Sequence, residues 1–184
     1  DSRVVATEKG NRMARLPVGV RLASMLVKAD SRWKAPNETP LLAALLETGD
    51  PLQRTEADKV GADIDYRMDA LRHFREGSDV KALKKKTAER ILAEAERLKK
   101  LSSASSGGTP ITDNSNTPAR VTETSGSAFP AASGTLLLSA YPDRIAKHMG
   151  DGVYKLPSGR QAHITAGETG FMPNWIIAAA VHLS

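Results

Sequence analysis

The sequence predicts an α+β protein, a helical bundle followed by a small β portion. Three observations carry this. In the N-terminal half, apolar residues recur at three- and four-residue spacing, as in Ile64, Met68, Leu71 and Phe74. After Gly150 the pattern changes to short β-type segments around Pro157-Ser158-Gly159. Between the two lies a Ser/Thr/Gly/Pro/Ala stretch with few large apolar groups, from Ser102 to Gly134.

Taken in order, Leu16, Val20, Ala23 and Val27 make the first helical stripe, with Pro17 near the first turn and Arg15, Arg21 and Lys28 on the exposed face. Asp30 to Asn37 reads as a connector. Thr39-Pro40 reads as N-cap and first helical residue, because the Thr oxygen can accept an orphan N–H and Pro has none to lose. The helix Leu41 to Thr48 is apolar nearly all round and is expected to be buried, with Gly49 ending it. Asp50 to Gly61 is polar and reads as a loop. The stripe from Ile64 to Phe74 stops at Gly77, and Ser78 is a candidate cap for the next helix. There Leu83, Ile91, Ala95 and Leu98 form the inner face. Lys81, Lys84, Lys85, Lys86, Arg90, Arg97, Lys99 and Lys100 lie mostly outside, with Glu89, Glu94 and Glu96 as partners for helix ion pairs.

The Ser102–Gly134 segment buries too little surface to offset its ordering entropy and is expected to be a flexible insertion. At roughly 5–6 Å × √n it spans on the order of 30 Å. Thr135 to His148 is ambiguous. Leu137, Tyr141, Ile145 and His148 fit a helical stripe, Leu136 to Leu138 would also suit a buried strand, and Pro142 would kink a helix or start a short one. Gly152–Leu156 and Arg160–Ile164 form a hairpin, and Trp175 to Val181 is a further strand. No internal repeat is evident.

The length of 184 residues suits one or two small domains. With no Cys there is neither a disulfide framework nor a thiolate metal site. The net charge of +5 suits an anionic partner, though inert soluble proteins carry such an excess too. No apolar run approaches the roughly 20 residues of a membrane span, and the N-terminus has no apolar signal core. The expectation is a protein that is not secreted and has no membrane partner. A cytoplasmic or organellar interior fits, and the long insertion suits a plastid or other eukaryotic source.

Several short motifs share an order. Thr7-Glu8-Lys9-Gly10-Asn11-Arg12-Met13-Ala14-Arg15-Leu16-Pro17 resembles "T-x-x-G-x-x-(M/L)-A-x-(L/F)-P" of DEAH/RHA-type ATP-dependent helicases. The following Val18 to Leu26 resembles "P-L-x-P-R-L-A-x-M-L", with Val20 in place of the second Pro. Leu41 to Glu47 with Asp50-Pro51-Leu52 resembles "A-A-L-L-E-x-R-D-P-L" of the HrpB-type helicases, and Gly61 to Leu71 their "G-A-D-L-x-x-R-L-E-A-L". Ala140 to Ala146 reproduces their "A-Y-P-D-R-I-A". Gly152-Val153-Tyr154 and Pro173 to Ile177 resemble "G-x-Y" and "x-x-W-L-V-V".

This resemblance implies that 1–16 is the remnant of a winged helix and 17–101 a helical ratchet-like domain. It makes 102–134 an insertion, 135–149 the last ratchet helix and 150–184 the start of an OB-like β-barrel portion, with an edge still missing. It also implies a C-terminal piece that begins at Asp1 without the motor. There is no G-x-x-x-x-G-K-[ST] and no Asp-Glu-x-His, so ATP and Mg belong to motor domains of the same polypeptide and the chain alone is expected to hydrolyse nothing. The implied partner is single-stranded nucleic acid, RNA ahead of DNA, guided by electrostatic, sequence-tolerant contacts. The rivals are a stand-alone nucleic-acid-binding module and a basic protein–protein adaptor.

The candidate binding residues are Arg144, Lys147, Lys155, Arg160 and Tyr141. Arg144 and Lys147 suit phosphate contacts with Tyr141 stacking. Equally, Arg144 suits a pair with Asp143 or a carboxylate on another helix, and Tyr141 suits the core. Lys155 and Arg160 flank the hairpin turn and suit either a strand-binding face or solvated tips. Lys84-Lys85-Lys86 reads most simply as a solvated helix face. His73, His148, His163 and His182 are scattered. A metal pair of His163 and His182 is the minor alternative to ordinary strand histidines.

Deleting Ser105 to Ala132 should shift the melting temperature little, because loop closure changes by only about 0.6 kcal/mol per doubling of length. A collapse of the cooperative transition in a calorimetric scan would show instead that the segment packs.

Overall fold

The computed structural model describes residues 5–32, 37–104, 133–164, 170 and 172–179. It is an α+β protein. Its helices are α1 (Glu8–Ala14), α2 (Val20–Arg32), α3 (Glu38–Thr48), α4 (Arg54–Val60), α5 (Ile64–Arg75), α6 (Lys85–Ala104) and α7 (Ser133–Ala140). A 3-10 turn at Pro142–Arg144 leads into strands β1 (Ile145–Gly150), β2 (Val153–Lys155), β3 (Gln161–His163) and β4 (Trp175–Ile177). Among the described residues no helix is long and apolar enough to cross a membrane.

The helical core centres on α3. Its residues Leu41 to Leu45 are all buried, as an all-round apolar helix demands, and it packs chiefly on α6. Gly49 ends it with φ of 102°, a conformation that L side chains rarely adopt. The inner face of α6 is Ala88, Ile91, Ala95 and Leu98, and its exposed face carries the lysines together with an Arg97–Glu94 pair at 3.4 Å. α5 is capped by Asp63, whose carboxylate accepts the N–H groups of Asp65 and Tyr66.

Two arginines on α5 reach the two ends of α3. Arg67, itself buried, donates to Asp50 at 3.1 and 2.7 Å and to the Asp63 carbonyl at 2.7 Å. Arg72 donates to Glu38 at 3.0 and 2.6 Å and also pairs with Asp69. Burial works against a charge on Asp50, but the Arg67 hydrogen bond and the Leu52 N–H outweigh it, so the carboxyl sits below its ordinary value.

The structure departs from the sequence-based expectations at several places. Helix α2 starts at Val20 and runs to Arg32, so Asp30 to Arg32 are helical rather than connector. Val20 is 75% exposed and is not part of the inner stripe. Helix α3 begins at Glu38, one residue before the expected Thr39 cap, and Arg72 binds Glu38 in that first turn. Asp50 to Gly61 is not all loop but contains α4, whose Ala57 and Val60 pack on the core while Tyr66 Oη donates to Glu56 at 2.6 Å. Ser78 caps nothing: Leu83 is held extended in a bridge with Leu52, and Lys84 N–H donates to the Pro51 carbonyl at 2.8 Å, so α6 starts only at Lys85. The helices also reach further into the Ser/Thr/Gly stretch than expected. Ser102 to Ala104 close α6 and Ser133-Gly134 open α7, while 105–132 lie outside the described residues.

The expected helix over 135–149 stops at Ala140. Pro142 offers no N–H and its ring opposes the helical conformation of the residue before it, so Tyr141 turns out of the helix with ψ of 53°. From Ile145 the chain is β1. The sheet is antiparallel with order β3-β2-β1-β4 and is open, since the two outer strands do not pair with one another among the described residues. The Pro157-Ser158-Gly159 hairpin forms as expected between β2 and β3, and the last strand is shorter than expected, Trp175 to Ile177. A second small core of Ala146, Tyr154 and Leu156 lies under one face of the sheet. Gly152 closes the β1–β2 turn: a Cβ there would lie 2.5 Å from the Ile164 carbonyl oxygen, which leaves no room for any other residue.

Leu42 has no exposed surface and sits at the centre of α3. Leu42→Ala should lower the unfolding free energy by about 2–5 kcal/mol in urea titration. A loss below about 0.5 kcal/mol would place this helix at the surface.

Candidate nucleic-acid interface

Period-two alternation divides the sheet into two faces. Ala146, Tyr154, Ala162 and Ile176 turn towards the second core. Lys147, Lys155, Gln161 and Trp175 are exposed on the opposite side, and Met149 is exposed at the irregularity between His148 and Gly150. The register sets Gln161, Lys155, Lys147 and Trp175 side by side in a row across all four strands. Lys147 and Lys155 are directly opposite one another, a like-charge pair that disfavours the sheet. Neither has an ion-pair partner among the described residues. The Lys147 ammonium lies 6.0 Å from the centroid of the Trp175 ring, at the outer reach of a cation–π contact. Trp175 is 60% and Met149 58% exposed.

The same face borders the bundle at its other end, where Ile145 pairs with Ile177 and Ile177 packs on the helical core. Tyr141 sits at this junction, buried, with the Arg21 guanidinium 5.4 Å and the Arg144 guanidinium 5.2 Å from its ring centroid. Burial pushes its phenol up, and the two guanidiniums oppose the rise. Tyr141 belongs to the helical core cluster, with both cations near its ring.

Arg144 donates to the carbonyls of Ala178 and Ala179 at 3.4 and 2.8 Å, while its own carbonyl accepts the Ala178 N–H at 3.1 Å. It ties β4 to the turn rather than pairing with Asp143. Asp143 belongs to Arg21, whose second terminal nitrogen donates at 2.9 Å and whose first also reaches the Ala140 carbonyl at 3.3 Å. This bond holds the Asp143 carboxyl below and the Arg21 guanidinium above their usual values. An open cleft of ≈ 310 Å³ lies here, and Glu47 on its wall accepts the Gly19 N–H at 3.1 Å. Arg21, Arg144 and Tyr141 line it as well.

Of the five sequence candidates, Lys147 and Lys155 come together, Tyr141 and Arg144 serve the junction, and Arg160 is exposed at the hairpin end opposite Leu156, off the row. Sequence reasoning placed Trp175 on a strand without giving it a site. Trp175-Ile176-Ile177 has no polar alternation to mark its open face, and only pairing with Lys147 reveals it. Lys84, Lys85 and Lys86 are exposed. No group of three His, Asp or Glu among the described residues is placed to hold a metal ion, and His182 of the alternative metal pair lies outside them. No protein-family model matches the chain, and no curated protein matches it.

Arg21→Gln removes the largest cause of the Asp143 shift, so in an NMR titration the Asp143 carboxyl should rise toward the ordinary carboxylate range. A depressed carboxyl stabilises the fold above its unfolded-state pKa, and that contribution fades as pH falls through the folded value. In the variant this acid-side loss should therefore shrink. An unmoved titration would mean the pair is not formed in solution.

Proposed function

We propose that this chain is the C-terminal accessory region of an ATP-dependent helicase of the HrpB type, guiding single-stranded nucleic acid, RNA ahead of DNA, by sequence-tolerant contacts. In this reading the helices act as the ratchet-like domain and the sheet as the first part of an OB-like barrel. ATP and Mg stay with motor domains of the same polypeptide. What supports the parentage is the shared order of the motifs from Thr7 to Ile177.

The observation that carries the binding role is the Lys155–Lys147 pair. Like charges directly opposite on neighbouring strands disfavour the sheet, and no described carboxylate relieves them. Phosphates would. Each lysine neutralises one phosphate and releases counterions, so affinity falls with salt, with no dependence on base identity.

The test is fluorescence anisotropy with labelled single strands of unrelated sequence at several salt concentrations. Replacing Lys147 and Lys155 together by Gln should weaken all strands about equally and flatten the log-affinity versus log-salt slope by about 0.7 for each contact removed. Arg144 is left intact because it holds β4. The matching change at Lys84, Lys85 and Lys86 should matter less. A slope unaltered in the folded double variant would move the binding face elsewhere and favour a basic adaptor.

A further inference from the structure

We infer that Trp175 is a stacking platform for an unpaired nucleobase, and that it makes this face select single strands over duplex. This rests on the reading of Lys147 and Lys155 as phosphate contacts, and adds to it a residue that reads strandedness.

The indole is the largest side chain left open on the sheet, at 60% exposed, whereas Tyr154 on the inner face has no exposed surface. An exposed indole contributes little to the second core, and β4 is an outer strand of the described sheet. Lys147 sits beside it in register and Lys155 one strand further on. Two strand spacings of about 4.8 Å put Lys155 about 10 Å across the sheet from Trp175. A base lying on the ring therefore leaves its neighbouring phosphates within reach of long, flexible ammonium arms. Met149, 58% exposed, adds a polarisable apolar group two residues from Lys147 on the same strand.

The charge pattern decides for a nucleobase over an apolar protein partner. The outer-face row Gln161, Lys155, Lys147 and Trp175 includes no carboxylate, and Asp151 lies apart in the β1–β2 turn. A cationic face with one open aromatic ring suits an anionic chain that carries flat rings. Stacking needs a free ring face. A single strand offers it, but a duplex keeps its bases in their own stack and exposes one only by extrusion.

The experiment titrates the full chain with oligouridylate, oligodeoxythymidylate and a blunt duplex of equal phosphate count, reading intrinsic fluorescence and anisotropy. Single strands should quench the indole emission, and Trp175→Phe should remove that change while keeping much of the affinity. Trp175→Ala should weaken single-strand binding roughly 5- to 150-fold, leave the salt slope as it was, and leave duplex binding unchanged. Equal losses for single strand and duplex, or no loss with the fold intact by circular dichroism, would overturn the inference. If the alanine variant does not fold, the wild-type quench and its loss in Trp175→Phe still decide: no quench at saturation rejects the platform. The Lys147/Lys155 double variant separates the two readings, because an unflattened slope with quenching intact rejects the phosphate contacts alone.

Discussion

The junction of the sheet with the bundle is built around Tyr141, a buried ring with two guanidiniums against it. Arg21 comes from α2 and Arg144 from the turn that leaves α7, the same turn that follows Tyr141. Each arginine has a second task. Arg21 binds the Ala140 carbonyl and Asp143, and Arg144 binds the carbonyls at the end of β4. A guanidinium suits this because it is planar, stacks on a ring, and still presents its N–H fork to oxygen. Lys at either place would lose that combination. The row of exposed residues on β1, β2 and β4 takes its direction from this contact, since β1 begins directly after the turn and β4 is tethered to it.

The bundle uses the same residue type for a different end. α3 is buried almost all round and supplies no polar surface of its own along its middle. Its ends are where charge can be placed, and Arg67 and Arg72 from α5 reach Asp50 and Glu38 there. Glu38 is itself buried, so removing Arg72 would leave a carboxylate out of water without its partner, a larger penalty than the pair's net contribution. The Leu52–Leu83 bridge then fastens the segment after α3 to the one before α6. Together these contacts place α6 with its apolar stripe on α3 and its lysines outward.

Much of this was legible from the residues. α3 could be read because every position in Leu41–Leu45 is apolar, and the hairpin because Pro157-Ser158-Gly159 separates two short β-type runs. α4 was hidden because seven residues with only Ala57 and Val60 apolar give no periodic signal. The start of α6 depends on a bridge between residues far apart in sequence, which no local pattern contains. For Thr135 to His148 the residues alone left helix and strand open, and Pro142 was the informative one. It stops the helix, although the extended motif match pointed to a longer one. The candidate site was half legible. Lys147 and Lys155 were singled out on residue type and neighbourhood, but their adjacency, and the presence of Trp175 beside them, follow from strand register alone. Arg144 was ambiguous because its partners are main-chain carbonyls, which every sequence has and none advertises.

The outer strands β3 and β4 are only three residues long. An intruding strand would find few hydrogen-bonding groups in line before the chain turned away, so edge-to-edge growth between molecules has little to build on. β2 and β1 behind them carry Lys155 and Lys147, and two molecules laid face to face would bring four ammonium groups together. Strand brevity and like charge thus both work against self-association at a described sheet border that leaves a large aromatic ring open to water.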